Sequence, residues 1–181
     1  RTFLKETTIA SLGFIALSRC TQNLKTEQGV IKSLDLVTDP EAYLDLPAGF
    51  SYKVISKHGT KMSDGFFVPG RPDGMGAFPI DDNRMILIRN HENSPNPIEH
   101  SPFGQNNELL AQIGAEKVYD YGKGNMPGLG GTTTVIYNEA EGVVEKEFLS
   151  LVGTYRNCAG GVTPWNSWLT CEEDTTPQGN D

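Results

Sequence analysis

The sequence is poor in the side chains that most catalytic motifs need. Its 181 residues hold only 3 His and 3 Cys. Three cysteines cannot build the paired framework of a small disulfide-stapled domain. There is no His-Glu-x-x-His, no phosphate-binding Gly-x-x-x-x-Gly-Lys loop and no Gly-x-Ser-x-Gly elbow, which argues against zincin peptidases, nucleotide-binding folds and serine hydrolases of the elbow type. Positive charge is also scarce, with 15 Lys and Arg against 23 Asp and Glu, a net charge of -8 and a pI near 4.9. A nucleic-acid surface needs clustered Lys and Arg to neutralise phosphates, so that class is excluded, whereas an acidic surface suits a cation binder. No apolar run is long enough to span a bilayer as a helix.

What is present is glycine and proline. With 20 Gly, 11 Pro and 37% hydrophobic residues, the chain reads as a loop-rich globular protein with one core, neither a helical bundle nor a disordered tail. Its segments carry strand patterns. Residues Phe50 to Ser56 alternate like a half-buried strand, and Arg84 to Arg89 read as a more buried one. Thr132 to Tyr137, Val143 to Leu149 and Ser167 to Thr170 are β-branched or aromatic-rich, with Asn138 to Gly142 as a hairpin loop. Asp64-Gly65, Asp73-Gly74 and Asp81-Asp82-Asn83 mark turns. One stretch, Asn107 to Ile113, has helix formers and is expected to form a short helix ending at Gly114. The spacing predicts an all-β protein, a propeller or a sandwich. Five or six strands cannot supply the four or more blades of a closed propeller, so the chain is expected to represent the N-terminal blades and to be unstable and inactive alone.

The N-terminus reads as an address. Arg1-Thr2-Phe3-Leu4-Lys5 followed by the apolar Ile9 to Leu17 has the grammar of an export signal peptide. The string resembles the second half of a twin-arginine signal, with a folded amphipathic helix as the alternative. Leu17-Ser18-Arg19-Cys20 resembles a lipoprotein box in which Cys20 takes the lipid, although Arg19 departs from the small residue expected there. We therefore expect a signal peptide over 1–20, a linker over 21–38, and one domain over 39–181.

The densest chemistry lies from Arg156-Asn157-Cys158-Ala159-Gly160-Gly161 to Cys171-Glu172-Glu173-Asp174. A thiolate and carboxylates brought together across a tight turn can hold a transition metal, sulfur giving soft donation and oxygen hard negative charge. Cys158, flanked by Asn and glycines, is the candidate ligand, with a disulfide to Cys171 as the rival. Cys171 follows an apolar run and is expected in the core. Glu172 and Glu173 should point to opposite sides if they end a strand. A second candidate is Arg89-Asn90-His91-Glu92-Asn93 at a strand end, with amide and carboxylate oxygens suited to hard cations, or else an ordinary solvated turn.

Taken in order, Met62-Ser63-Asp64-Gly65, Val68 to Met75, Arg89 to Glu92, Gly130 to Thr134, and Gly153 to Trp165 through Cys171-Glu172-Glu173 resemble the PhoX-type alkaline phosphatase family over about Asp39 to Glu173. The resemblance implies a β-propeller that hydrolyses phosphomonoesters outside the cytoplasm with iron and calcium ions. It further implies Cys158 and Glu173 as iron ligands, Glu172 as a less suited one, and Glu92 and Asn90 as calcium ligands. Arg156 and Arg89 are candidate phosphate contacts or braces for a carboxylate. The metals would neutralise phosphate charge, so no Ser or His nucleophile is required. Implied partners are a small phosphate ester and the twin-arginine export machinery, with no nucleic acid, a lipid anchor only through Cys20, and a monomeric state. The location is periplasmic or extracellular. Two rivals stay open: a calcium-dependent propeller hydrolase of phosphotriesters or lactones, and a secreted non-catalytic binding propeller.

Overall fold

A computed structural model describes residues 35–94, 98–124 and 127–175. The signal-peptide reading of 1–20, Cys20 and most of the linker fall outside the described residues. Contacts divide the chain into Arg1–Lys53 and Val54–Asp181. In the first unit β1 (Leu36–Val37) pairs antiparallel with β2 (Leu46–Pro47). The connecting turn winds around the carboxylate of Asp39, which accepts the N–H groups of Glu41, Tyr43 and Leu44 and the hydroxyl of Tyr52. These donors, Tyr52 foremost, hold the Asp39 carboxyl at about 2, and the same bond raises the Tyr52 phenol to about 12.

The second unit is built on a four-stranded antiparallel meander of β3 (Pro72–Pro79), β4 (Arg84–His91), β5 (Gly130–Asn138) and β6 (Val143–Thr154), neighbours in sheet order as in sequence. A separate two-stranded sheet follows, β7 (Asn157–Val162) with β8 (Trp168–Glu172). Among the described residues the structure is all-β with short 3-10 turns, several antiparallel sheets and no closed propeller. Side chains local to the turns set the hairpins. Asp81 caps the β3–β4 turn by accepting the N–H groups of Asn83 and Arg84 while pairing with the Arg84 guanidinium at 2.7 Å. Asn138 accepts the Glu141 N–H at the start of the β5–β6 turn, where Gly142 takes the left-handed conformation (φ 65°).

Several expectations are corrected. Phe50 to Ser56 form no strand. The alternation is there, but among the described residues no neighbouring strand supplies the ladder that a strand requires. The expected helix at Asn107 to Ile113 reduces to a single 3-10 turn, Leu110–Gln112. A stretch this short cannot offset helix nucleation, and Leu109, Leu110 and Ile113 all go to the core. Asp73-Gly74 lies inside β3 rather than in a turn. Neither β3 nor β7 was expected, because their Gly-rich sequences are poor strand formers in isolation.

The core does not lie between two sheets. Met62, Phe66, Val68, Phe103, Leu110, Val118, Leu129 and Val152 cluster where the irregular segments 57–70, 98–124 and 127–129 meet the end of β6. Phe66 and Phe103 meet edge to face at 5.7 Å. His91 is buried beside this cluster, with Nδ1 2.9 Å from the Gly70 carbonyl and Nε2 2.9 Å from the Thr133 hydroxyl. A neutral ring that donates through Nδ1 and accepts through Nε2 satisfies both contacts. Burial pushes its pKa down to about 4.

The β7–β8 hairpin packs on β3 because β3 has glycine where it touches. A Cβ on Gly74 would sit 2.6 Å from the Cys158 carbonyl oxygen, and one on Gly76 would sit 2.7 Å from the Trp168 ring. Gly161 faces open space. Gly74→Ala and Gly76→Ala should each therefore lower stability by about 1–3 kcal/mol, read as a lower urea midpoint, with Gly161→Ala nearly neutral. A second outcome concerns pH. His91 has a folded pKa near 4 against about 6.5 unfolded, so its contribution is complete above pH 6.5 and is lost as pH falls toward 4. The loss amounts to about 3 kcal/mol, and thermal melts from pH 7.5 to 4.5 should show a flatter dependence in His91→Gln than in the parent.

Candidate metal centre

Asn90 ties the end of β4 to the β7–β8 hairpin. Its side chain is fully buried, and its amide donates to the carbonyls of Cys158 (3.2 Å) and Ala159 (2.9 Å). Its Oδ1 accepts the Trp168 indole N–H and the Thr170 hydroxyl, both at 2.9 Å. Trp168 and Thr170 were not singled out in the sequence, where they read only as an apolar strand. The strand register explains why the site needs such a tie. Asn157 opposes Glu172 and Gly160 opposes Thr170, so Cys158 and Ala159 form a bulge opposite Cys171. Both carbonyls of the bulge turn to Asn90. The strand-end segment at 90–93 is therefore no solvated turn: Asn90, His91 and Asn93 are all at or below 1% exposure.

Around the bulge, carboxylates converge on one guanidinium. Arg156 Nη2 lies 3.2 Å from Glu92 Oε1 and 3.1 Å from Glu173 Oε2. The backbone fixes this arrangement. Arg156 takes a left-handed conformation (φ 50°), donates its N–H to the Asn93 carbonyl and accepts the Glu173 N–H at its own carbonyl. Glu92 donates its N–H to the Arg71 carbonyl. Strand alternation sends Glu172 the other way, where its Oε1 accepts the Tyr155 N–H at 2.8 Å. So Glu92, Glu173 and Arg156 are brought together and Glu172 is turned aside.

The cysteines differ from expectation. Both Cys158 and Cys171 are free thiols, and Cys171 is exposed rather than in the core, because it alternates with Thr170 and Glu172 on the outer side of β8. Cys158 Sγ lies 3.9 Å from the Cys171 carbonyl. Arg89 is on the far face of the sheet from Asn90, as alternation along β4 requires. There it reaches the Ser56 hydroxyl (2.8 Å), the Thr133 hydroxyl (3.3 Å) and Glu147 (3.4 Å), and burial pulls its pKa down. The structure thus places Arg89 as a brace for a buried carboxylate, apart from Arg156.

The donor chemistry fits a metal in part. Two carboxylates already share one cationic group, and a thiol stands on the same hairpin, a mixture of hard and soft donors. Among the described residues no three His, Cys, Asp or Glu side chains close into a full ligand set. What fold and site define is an all-β protein with two carboxylates on one guanidinium beside a thiol-bearing hairpin. The family described as Alkaline phosphatase PhoX matches residues 32–146 and 140–180, and the chain belongs to this family of metal-dependent phosphatases. No curated protein and no solved structure matches the chain significantly.

The two polar clusters should respond differently to substitution. Asn90→Leu leaves the Trp168 N–H and two bulge carbonyls unpaired and should cost about 2–4 kcal/mol, with faster alkylation of Cys158 in native conditions. Arg156→Gln, at a pair that is largely solvent-exposed, should stay within about 1 kcal/mol. Urea titration and timed thiol labelling check both.

Proposed function

We propose that the protein is an exported phosphomonoester hydrolase that works with iron and calcium, its described residues supplying one edge of the metal cluster. The observation that carries this reading is the convergence of Glu92 and Glu173 on one cationic group beside the Cys158 bulge, in a chain of the PhoX alkaline phosphatase family. Cys158 and Glu173 would hold iron and Glu92 calcium. Glu172 retains one carboxylate oxygen beyond its bond to Tyr155, and Asn90 Oδ1 already accepts from two donors, so these two are weaker ligands. When bound, such ions neutralise phosphate charge and raise the acidity of water at neutral pH.

The chain's own residues have defined parts in this reading. The bulge, held by Asn90, presents Cys158 in one orientation. Arg156, 40% exposed at its side chain, is near enough to turn its planar fork from the carboxylates to the oxygens of a phosphate ester. The net charge of -8 makes it costly to bring an anionic ester close without such cations. Export through the twin-arginine route, a periplasmic or extracellular location, and a lipid on Cys20 complete the proposal.

Elemental analysis of the full-length protein from its own host, with Cys158→Ala alongside, tests the reading. Iron together with calcium in the parent, iron lost in the variant, and at least a hundredfold loss of phosphomonoesterase activity on removal of the metals are expected. Calcium without iron, unchanged in Cys158→Ala, would instead favour the calcium-only propeller hydrolase, and calcium with thermal stabilisation but no turnover would favour a binding propeller.

A further inference from the structure

The β7–β8 hairpin carries two free thiols opposite one another. The register pairs Asn157 with Glu172 and Gly160 with Thr170, so the residue facing the bulge of Cys158 and Ala159 is Cys171. Asn157 points into the core, where its amide donates to the Thr170 hydroxyl at 2.9 Å. Alternation then places Cys158 and Cys171 together on the other face. Neither is sealed away, Cys158 being half-buried and Cys171 exposed. Cys158 Sγ is already within 3.9 Å of the Cys171 backbone. A bulge of this kind sets its two residues against the single residue opposite, and a disulfide tolerates Cα separations of about 4.4–6.8 Å.

We propose that Cys158 and Cys171 form a dithiol–disulfide site, oxidised by small-molecule disulfides of the glutathione type. In the first step the thiolate of one cysteine attacks a sulfur of the oxidant, forming a mixed disulfide and releasing one thiolate of the reduced small molecule. In the second, the other cysteine, having lost its proton to water, attacks the protein-bound sulfur of that mixed disulfide and expels the second reduced molecule. The two protein thiols lose two electrons and two protons, and the oxidant becomes two thiols once protonated. Cys171 has the greater access and is the natural first site of attack, with Cys158 as the resolving thiol. The bulge favours closure because Asn90 and Gly74 hold the Cys158 backbone in place, which leaves little chain entropy to lose. Closing the bond removes Cys158 as a thiolate donor to any metal. The step itself uses no metal, so it stands or falls separately from the reading of the site as a metal centre.

The sequence makes the test simple, since no Lys or Arg follows Arg156 up to Asp181 and one tryptic peptide beginning at Asn157 carries both cysteines. Full-length Cys20→Ser protein, treated with a chelator, is equilibrated across ratios of oxidised to reduced glutathione and then alkylated. The expected result is a peptide that loses both alkyl groups together over a narrow range of ratios, is lighter than the dithiol form by two hydrogens and carries no glutathione. In Cys171→Ser the same conditions should leave Cys158 alkylated or bearing glutathione. A parent peptide that keeps both alkyl groups, or carries glutathione without closing, at every ratio would overturn the proposal.

Discussion

The carboxamide of Asn90 is the interaction on which the site depends. A fully buried amide must meet its hydrogen-bonding needs inside the protein, and Asn90 does so with four groups drawn from both strands of the neighbouring hairpin. A two-stranded hairpin has marginal stability by itself. Here one end of β4 reaches across to the bulge carbonyls on one strand and to Trp168 and Thr170 on the other. Glycines at 74 and 76 admit the hairpin to contact distance, and the amide then fixes its position. With the backbone bonds of Arg156 to Asn93 and Glu173, that tie holds the Cys158 bulge against the end of β4.

Two arginines of similar sequence setting serve opposite purposes, and burial separates them. Arg89 is a largely buried cation whose charge is supported by Glu147 and two hydroxyls, an arrangement that is costly to break from either side. Arg156 lies between two carboxylates at the solvent edge, where the pairing energy is small and the guanidinium is free to exchange partners. The second kind leaves a cation available at the surface. The first keeps the sheet in shape.

Much of the fold was legible locally. Arg84 to Arg89, Thr132 to Tyr137 and Val143 to Leu149 are strands with the expected hairpin between the last two, because β-branched residues and turn signals act over a few positions. The failures are also physical. Phe50 to Ser56 alternates without a partner strand, and β3 and β7 are glycine-rich strands that exist because something packs against them. Cys171 was expected in the core from its apolar neighbours, yet strand parity turns it outward. The opposite sides of Glu172 and Glu173 were legible for the same reason, since parity is local once the strand is granted.

Composition, pattern and motif are properties of neighbouring positions, and they suffice for the all-β character, the acidic balance, the family, and which residues bear thiol and carboxylate chemistry. Folding was needed to bring Glu92 and Glu173 onto Arg156, to send Arg89 to another face, to bury Asn90 as a tie, and to set Cys158 opposite Cys171 at a bulge. Those outcomes depend on strand register, on pleat parity and on two glycines that let separate sheets touch. None of them is carried by any short stretch of chain.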